Sequence, residues 1–207
     1  QGLIEEFTRS LVSKKCKTLG WTFSDSEPFL EQRKKSVLFS SAISSEDKEV
    51  QQAALEMFDK FVAGNSSAIH PNLRPAVYRA VADLRGVEGY DQLLNIYKTA
   101  TSLDEKITAL STLGLFKESE LIKRTLGYAL DGSVVKPQDI YLPLRGLRAH
   151  KEGTVALFGW LKEKWDEIYA LLPPGLSMLG SVVESCLSSY TTKTSKSEIE
   201  EFFKNKD

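Results

Sequence analysis

Cysteine, histidine and methionine are scarce, with two of each in 207 residues. Cys16 and Cys186 stand far apart and show no metal-ligand spacing, so neither a disulfide framework nor a thiolate zinc site holds this chain together. An apolar content of 42% is enough to build a core without such staples. Free cysteines in such low number fit a reduced, cytoplasmic setting, in which the Asn65-Ser66-Ser67 sequon has no meaning. His70 and His150 lack the second histidine four residues away that a helix-borne zinc site requires, and Ala149-His150-Lys151-Glu152 is not one. No local signature joins a cysteine to a histidine for nucleophilic attack. Glycine-rich phosphate loops are missing as well. Charge of either sign is not in excess: 27 basic against 28 acidic side chains leave a net charge of -1. Because these charges are interspersed, no nucleic acid is expected as a partner, and the short clusters Lys14-Lys15 and Arg33-Lys34-Lys35 read as solvated helix faces. Glu46-Asp47 and Glu198, Glu200 and Glu201 read as outward carboxylates. No segment approaches the ~20 continuous apolar residues needed to span a bilayer, and no membrane partner is expected.

Strand-like alternation is also missing; what the chain has instead is one amphipathic stretch after another at a period near 3.6. Leu3, Phe7 and Leu11 share a face of a first helix that stops near Gly20. Ser24-Asp25-Ser26-Glu27 has capping-box spacing ahead of a second helix, with Pro28 in its first turn. A third helix runs from about Glu46 to Val62, and Pro75 opens another that carries Val77, Tyr78, Val81 and Leu84 until Gly86 and Gly89 break it. Tyr90, Leu93, Leu94 and Tyr97 form the next apolar face. Ser102-Leu103-Asp104-Glu105 starts a helix expected to turn Leu103, Ile107 and Leu110 inward. Leu121, Ile122, Leu126 and Leu130 belong to one closed by Asp131-Gly132. Pro137 opens a helix that Pro143 should kink or shorten. A longer one, from about Thr154 to Leu172, stops at Pro173-Pro174-Gly175; Leu176 to Ser189 follows, and Ser195-Lys196-Ser197-Glu198 caps a last helix bearing Ile199, Phe202 and Phe203. Roughly ten helices with short links predict an all-α fold of stacked antiparallel hairpins, curved into a HEAT- or armadillo-like superhelix. The whole of 1–207 reads as a single helical-repeat domain.

Two polar clusters stand out in this array. Arg74, Tyr78 and Arg79 gather near one helix start, and Arg145 with Arg148 repeats the theme later. Guanidinium forks bind carboxylates in two-pronged fashion, so these side chains are candidates for contact with a peptide's C-terminus or acidic residues. The competing reading is that Arg74 ties adjacent helices together through carbonyls or acidic partners. Trp160 and Trp165, with Phe158 and Tyr169, form the densest aromatic region and read as core packing rather than a stacking platform. No catalytic pair and no metal ligand set emerges.

Four separated stretches share a further property. Lys17-Thr18-Leu19-Gly20-Trp21, Ser67-Ala68-Ile69-His70-Pro71-Asn72-Leu73-Arg74-Pro75-Ala76-Val77-Tyr78, Val135-Lys136-Pro137-Gln138-Asp139 and the run from Ala156 to Ile168 resemble, in order, the C-terminal helical domain of zinc aminopeptidases of the puromycin-sensitive and alanyl aminopeptidase type. The resemblance implies a HEAT-like bowl that closes over the active site of an upstream thermolysin-like domain and encloses a peptide chamber. Zinc would belong to that absent catalytic domain, since none of the family's H-E-x-x-H ligands, its G-x-M-E-N motif or its transition-state tyrosine has a counterpart here. The same resemblance, together with a start at Gln1 inside a helical pattern, implies a C-terminal fragment without its first helices. Its partners would then be the upstream catalytic domain of the same polypeptide and peptide substrates, and Leu73-Arg74-x-x-Val77-Tyr78 is the best match to a chamber-lining motif. The alternative from a different class is a free-standing helical-repeat adaptor that binds a partner protein on its concave face.

Overall fold

The computed structural model of the chain describes residues 2–24, 26–172, 175, 177–204 and 206. Among them are eleven α-helices, two 3-10 turns and no strand. The polypeptide divides into two compact units, Gln1–Thr112 and Leu113–Asp207.

The first unit begins with α1 (Gly2–Leu19), α2 (Phe29–Ser44) and α3 (Lys48–Val62). A 3-10 turn at Pro71–Leu73 leads into α4 (Arg74–Leu84), α5 (Gly86–Thr99) and α6 (Leu103–Leu113). Helix α2 packs on α1, α3 and α4, and α4 packs in turn on α3 and α5. Their shared interior holds Phe39, Ile43, Ala54, Phe58, Val77, Tyr78, Val81, Tyr90 and Leu93, all essentially without solvent contact. Each large apolar side chain so buried contributes about 1.5–3 kcal/mol. The stripe on α1 is different: Leu3, Phe7 and Leu11 are 83%, 64% and 57% exposed.

Several local expectations shift once packing is visible. The capping box at Ser24-Asp25-Ser26-Glu27 does not form; Pro28 occupies the N-cap of α2 with no side-chain cap, while the Ser24 and Ser26 hydroxyls pair with each other. Asp25 itself lies outside the described residues. Asp47, expected to face outward, is buried as the N-cap of α3 and accepts the backbone N–H groups of Glu49 and Val50 at 3.1 and 3.2 Å. Lys35, read as solvated, is only 8% exposed: its ammonium donates to the Thr22 carbonyl at 2.8 Å and pairs with Glu27 at 2.6 Å. Gly89 does not break a helix, because α5 begins at Gly86 and carries Gly89 in its interior. In α6 the inward side is Ala109, Leu110 and Leu113, whereas Leu103 is 69% exposed. That rotation turns Glu105 inward, with consequences described below.

The second unit contains α7 (Ser119–Leu130), a 3-10 turn at Pro137–Asp139, α8 (Tyr141–Leu147), α9 (Lys151–Leu171), α10 (Ser177–Leu187) and α11 (Lys193–Phe203). Helix α8 touches α7, α9 and α10 and buries Leu142, Pro143, Leu144, Gly146 and Leu147. A segment buried on nearly every side reads as apolar all round, which is its sequence. Pro143 shortens rather than kinks the expected helix: residues 137–139 form a separate turn, and α8 starts two residues before the ring, within the first turn where a missing N–H costs nothing. Trp160 and Trp165 are both buried; Trp165 meets Phe202 and Phe203 of α11 edge-on at 5.8 and 5.1 Å. The cap of α11 is Thr192 rather than Ser195, whose backbone N–H donates to the Thr192 hydroxyl at 3.1 Å. The helix stop at Pro173-Pro174-Gly175 and the start at Leu176 fall partly outside the described residues.

Backbone contact fixes α8. A Cβ on Gly114 would stand 2.0 Å from the Pro143 carbonyl oxygen, and one on Gly153 would stand 2.1 Å from that of Leu147. His150 fastens the same corner, its Nδ1 accepting the Gly153 N–H at 3.1 Å and its Nε2 lying 3.1 Å from the Gly114 carbonyl. The same Nδ1 also lies 3.3 Å from the Glu152 carboxylate. Both cysteines are free and buried. Burial, and after it the Asp47 charge, pushes the Cys16 thiol up to about 11, and burial pushes Cys186 up to about 12.

Gly114→Ala is expected to lower the stability of this unit by about 1–3 kcal/mol or more, because backbone must move to admit the methyl group. Gly127→Ala, where a Cβ meets nothing within 4 Å, should instead add about 0.5–1 kcal/mol through helix propensity. Urea midpoints at unchanged m-value measure both; equal behaviour of the two variants would contradict the packing described.

Candidate functional site

The sequence candidates fall into three places. In the first unit, Arg74 and Tyr78 of α4 converge on Glu105 of α6. The Arg74 Nη1 lies 3.3 Å from Glu105 Oε2, and the Tyr78 hydroxyl donates to Glu105 Oε1 at 3.3 Å. All three are largely or wholly withdrawn from water, and Phe58 closes on the Tyr78 ring edge-on at 5.8 Å. The Arg74 guanidinium also lies 5.9 Å from the centroid of the Phe61 ring. Its Nε is buried and has no hydrogen-bond acceptor among the described residues. Glu105 was expected only as part of a helix start; its spacing of two from Leu103 could have signalled that one of them had to turn inward, but not which.

Chemically this cluster is a neutralised interior pair with a phenol attached. Breaking such a pair by removing one partner leaves an uncompensated charge, at a cost of about 3–5 kcal/mol. A ligand carboxylate seeking Arg74 would compete with Glu105 for the same guanidinium. Burial, and after it the Glu105 charge, hold the Tyr78 phenol well above its ordinary range.

Arg79 belongs to a different surface of the same helix and pairs with Asp83 one turn on, at 2.9 Å. In the second unit, Arg145 of α8 lies 5.4 Å from the ring centroid of Tyr141 on its own helix. Arg148, at the end of α8, donates from Nη1 to the Ser188 hydroxyl at 2.6 Å. Arg74 and Tyr78 are thus brought together, Arg79 is not part of their cluster, and Arg145 and Arg148 engage separate partners.

Two grooves were not foreseen from the sequence. One, of about 650 Å³, runs between α3 and α5 and is lined by Phe61, Val62, Glu88, Asp91, Gln92, Asn95 and Ile96. Its polar wall is a single line on α5, residues 88, 91, 92 and 95 at i, i+3, i+4 and i+7, a spacing legible in the sequence once the opposite, apolar face had been assigned. The other, of about 480 Å³, lies between α7 and α9, where Gly127 and Gly159 open space beside Trp160, with Lys123, Lys164, Glu163 and Glu167 around it. Its charges balance, and Lys164 pairs with Glu167 at 3.3 Å.

Among the described residues no three His, Cys, Asp or Glu side chains come together in a way that could hold a metal ion. The described residues therefore do not fit a zinc centre. No described helix is long and apolar enough to cross a membrane.

The described residues thus form an all-helical domain. Comparison with known proteins says of what kind: residues 1–207 match the ERAP1-like C-terminal domain, and the chain belongs to that family, the C-terminal domain of M1-family aminopeptidases. It is 48% identical to Aminopeptidase 2 of Candida albicans, over 99% of this chain and 22% of that protein. It is 45% identical to Aminopeptidase 2, mitochondrial, of Saccharomyces cerevisiae, over 100% of this chain and 22% of that protein. Alanine/arginine aminopeptidase of the same yeast is 40% identical over 98% of this chain and 24% of its own length. The chain spans about a fifth to a quarter of the length of these relatives.

The Tyr78 environment gives a measurable consequence. The folded state holds the phenol proton beyond the pH at which the unfolded chain releases it, at about 10. Its contribution to stability is therefore complete below about pH 10 and is lost as pH rises above it. Urea unfolding on either side of that pH should show stability falling with pH, with a limiting slope about 1.4 kcal/mol per pH unit shallower in Tyr78→Phe. Equal slopes in the two proteins would show that Tyr78 ionises freely in the folded state.

Proposed function

We propose that this chain is the non-catalytic wall of a zinc aminopeptidase: a curved, HEAT-like helical stack that encloses the peptide chamber of an upstream catalytic domain and contacts the distal part of the substrate. The observation that carries this reading is the end-to-end match to relatives named aminopeptidases, of which this chain spans only 22% in the Candida albicans protein and 22% in the mitochondrial yeast one. The zinc belongs, on this reading, to the upstream domain of the same polypeptide; among the described residues no set of three His, Cys, Asp or Glu side chains gathers as ligands. Enclosure contributes to catalysis through proximity: a wall that restrains the body of a peptide presents its free N-terminus to the metal in a restricted set of orientations. Arg74, Tyr78, Arg79, Arg145 and Arg148 remain candidates for chamber contact. Arg145 and Arg148, whose recorded partners are an aromatic face and a hydroxyl rather than a carboxylate, keep more capacity for an anionic group than Arg74. Two free, buried cysteines support a cytoplasmic setting.

Purified as it stands, the chain should carry no stoichiometric zinc by metal analysis and should release no 4-nitroaniline from aminoacyl-4-nitroanilides. Grafted in place of the matching region of the Candida albicans relative, it should restore cleavage of long peptides to a truncated enzyme. Chelator-sensitive turnover by the chain alone would overturn the proposal; so would a chimera indifferent to the graft, which would favour the adaptor alternative.

A further inference from the structure

The first two helices keep their outer sides bare. Leu3, Ile4, Phe7 and Leu11 are each more than half exposed on α1, and so are Phe29, Leu30 and Val37 on α2; no other described helix leaves more than two large apolar side chains in water. Positions 3, 4, 7 and 11 form one stripe along α1, and 30 and 37, two turns apart, share a line on α2. Between the two helices runs an open groove of about 350 Å³, edged by Ile4 and Thr8 of α1 and by Ser40, Ser41 and Ser44 of α2. Ser44 carries the line of Leu30 and Val37 two turns further. A furrow of small side chains beside an apolar ridge is a seat for the ridge of a third helix. Charge is graded along α1 as well, with Glu5 and Glu6 near its start and Lys14 and Lys15 beyond Leu11. The terminal layer of a helical stack shows a polar outer face, and α1 with α2 does not.

We infer that this face seats an amphipathic helix from the preceding part of the same polypeptide, docked antiparallel to α1. The occupant is apolar at positions four apart, where it meets Leu3, Phe7 and Leu11, and it carries a basic side chain opposite Glu6 and an acidic one opposite Lys14 or Lys15. A second copy of α1 does not have this chemistry. In a two-fold pairing each residue meets its counterpart reciprocally: the register that lays Leu3 on Leu11 and Phe7 on Phe7 leaves Lys14 and Lys15 past the start of the partner helix, whereas the register that joins Glu6 to Lys14 sets Leu3 against Lys17 and Phe7 against Ser13. The chain is a C-terminal domain that spans about a fifth to a quarter of its relatives, so in them polypeptide lies ahead of the matched region. A helix tethered there competes at an effective concentration of about a millimolar, which a free partner seldom reaches. The inference rests on family membership and not on the chamber role.

The test joins to the N-terminus of the chain the ~40 residues that precede the matching region in the Candida albicans relative, enough for two helices and their links, and compares amide hydrogen exchange with that of the chain as it stands. Amides of residues 3–15 should exchange about ten-fold or more slowly in the extended protein. The triple variant Leu3→Ser, Phe7→Ser, Leu11→Ser should lose this gain while the amides of α3, α4 and α5 keep their protection, since all three positions are exposed. The same ~40 residues added as a free synthetic peptide should perturb residues 3–11 and 30–44 of the original chain, a reading that does not depend on the fusion folding. Equal exchange of α1 in the two proteins together with a peptide that leaves α1 unperturbed overturns the inference, and so does protection that survives the triple substitution. A dimer of the original chain by sedimentation, protecting the same amides and not displaced by the peptide, assigns the face to a second copy and overturns it too. The chamber role stands or falls separately, in the grafted-enzyme assay.

Discussion

Most of the described helices are too short to persist alone. Isolated helices below about 12–15 residues are marginal in water, and α6, α10 and α11 have 11 residues while α8 has 7. Their existence depends on burying one apolar face, or in α8 nearly the whole circumference, against neighbours within the same unit. Close backbone approach at Gly114 and Gly153 is the sharpest form of this dependence, since α8 keeps its place only where adjoining residues have no side chain. Grooves arise from the same rule in reverse: where Gly127 and Gly159 leave neighbouring helices without filling atoms, or where α3 ends before α5 does, a channel opens that the core does not fill.

Charge follows a second consequence of packing. Once a helix turns a charged residue inward, a partner must come with it. Glu105 brings Arg74 and the Tyr78 hydroxyl, and Lys35 brings Glu27 and the Thr22 carbonyl. Guanidinium and ammonium groups employed in this way act as fasteners between helices. Glu88, on the wall of the α3–α5 groove, is met instead by the Gln92 carboxamide of its own helix at 3.4 Å.

What the sequence disclosed followed the range of the interactions involved. Hydrophobic spacing is local, so the helices around Val77 and Val81, Leu93 and Leu94, or Leu157 and Leu161 were legible, as was the all-helical class. Helix starts were less so, because several groups compete for the same free N–H donors: Pro28 displaced a serine box, and Thr192 outbid Ser195 three residues away. The rotation of α6, which exposes Leu103 and withdraws Glu105, brings that carboxylate to Arg74 and Tyr78 of α4, partners that its own pattern does not show. Lys35 looked like one of three equivalent basic residues until the turn carrying Thr22 and Glu27 was in place. Arg74 and Tyr78 could be singled out by composition, yet Glu105 lies 27 residues beyond Tyr78, and nothing short of the fold joins them. The α3–α5 groove is similarly invisible, since its floor and its wall come from helices separated by a long connector.

The two thiols sit where neither reagents nor oxidants reach them, and their surroundings keep them protonated near neutrality. A maleimide-linked fluorophore or spin probe offered to the native protein would therefore find almost no background target. One cysteine added on an outer helix surface could be tagged selectively, which makes distance measurements across this polypeptide practical without first removing its own sulfur.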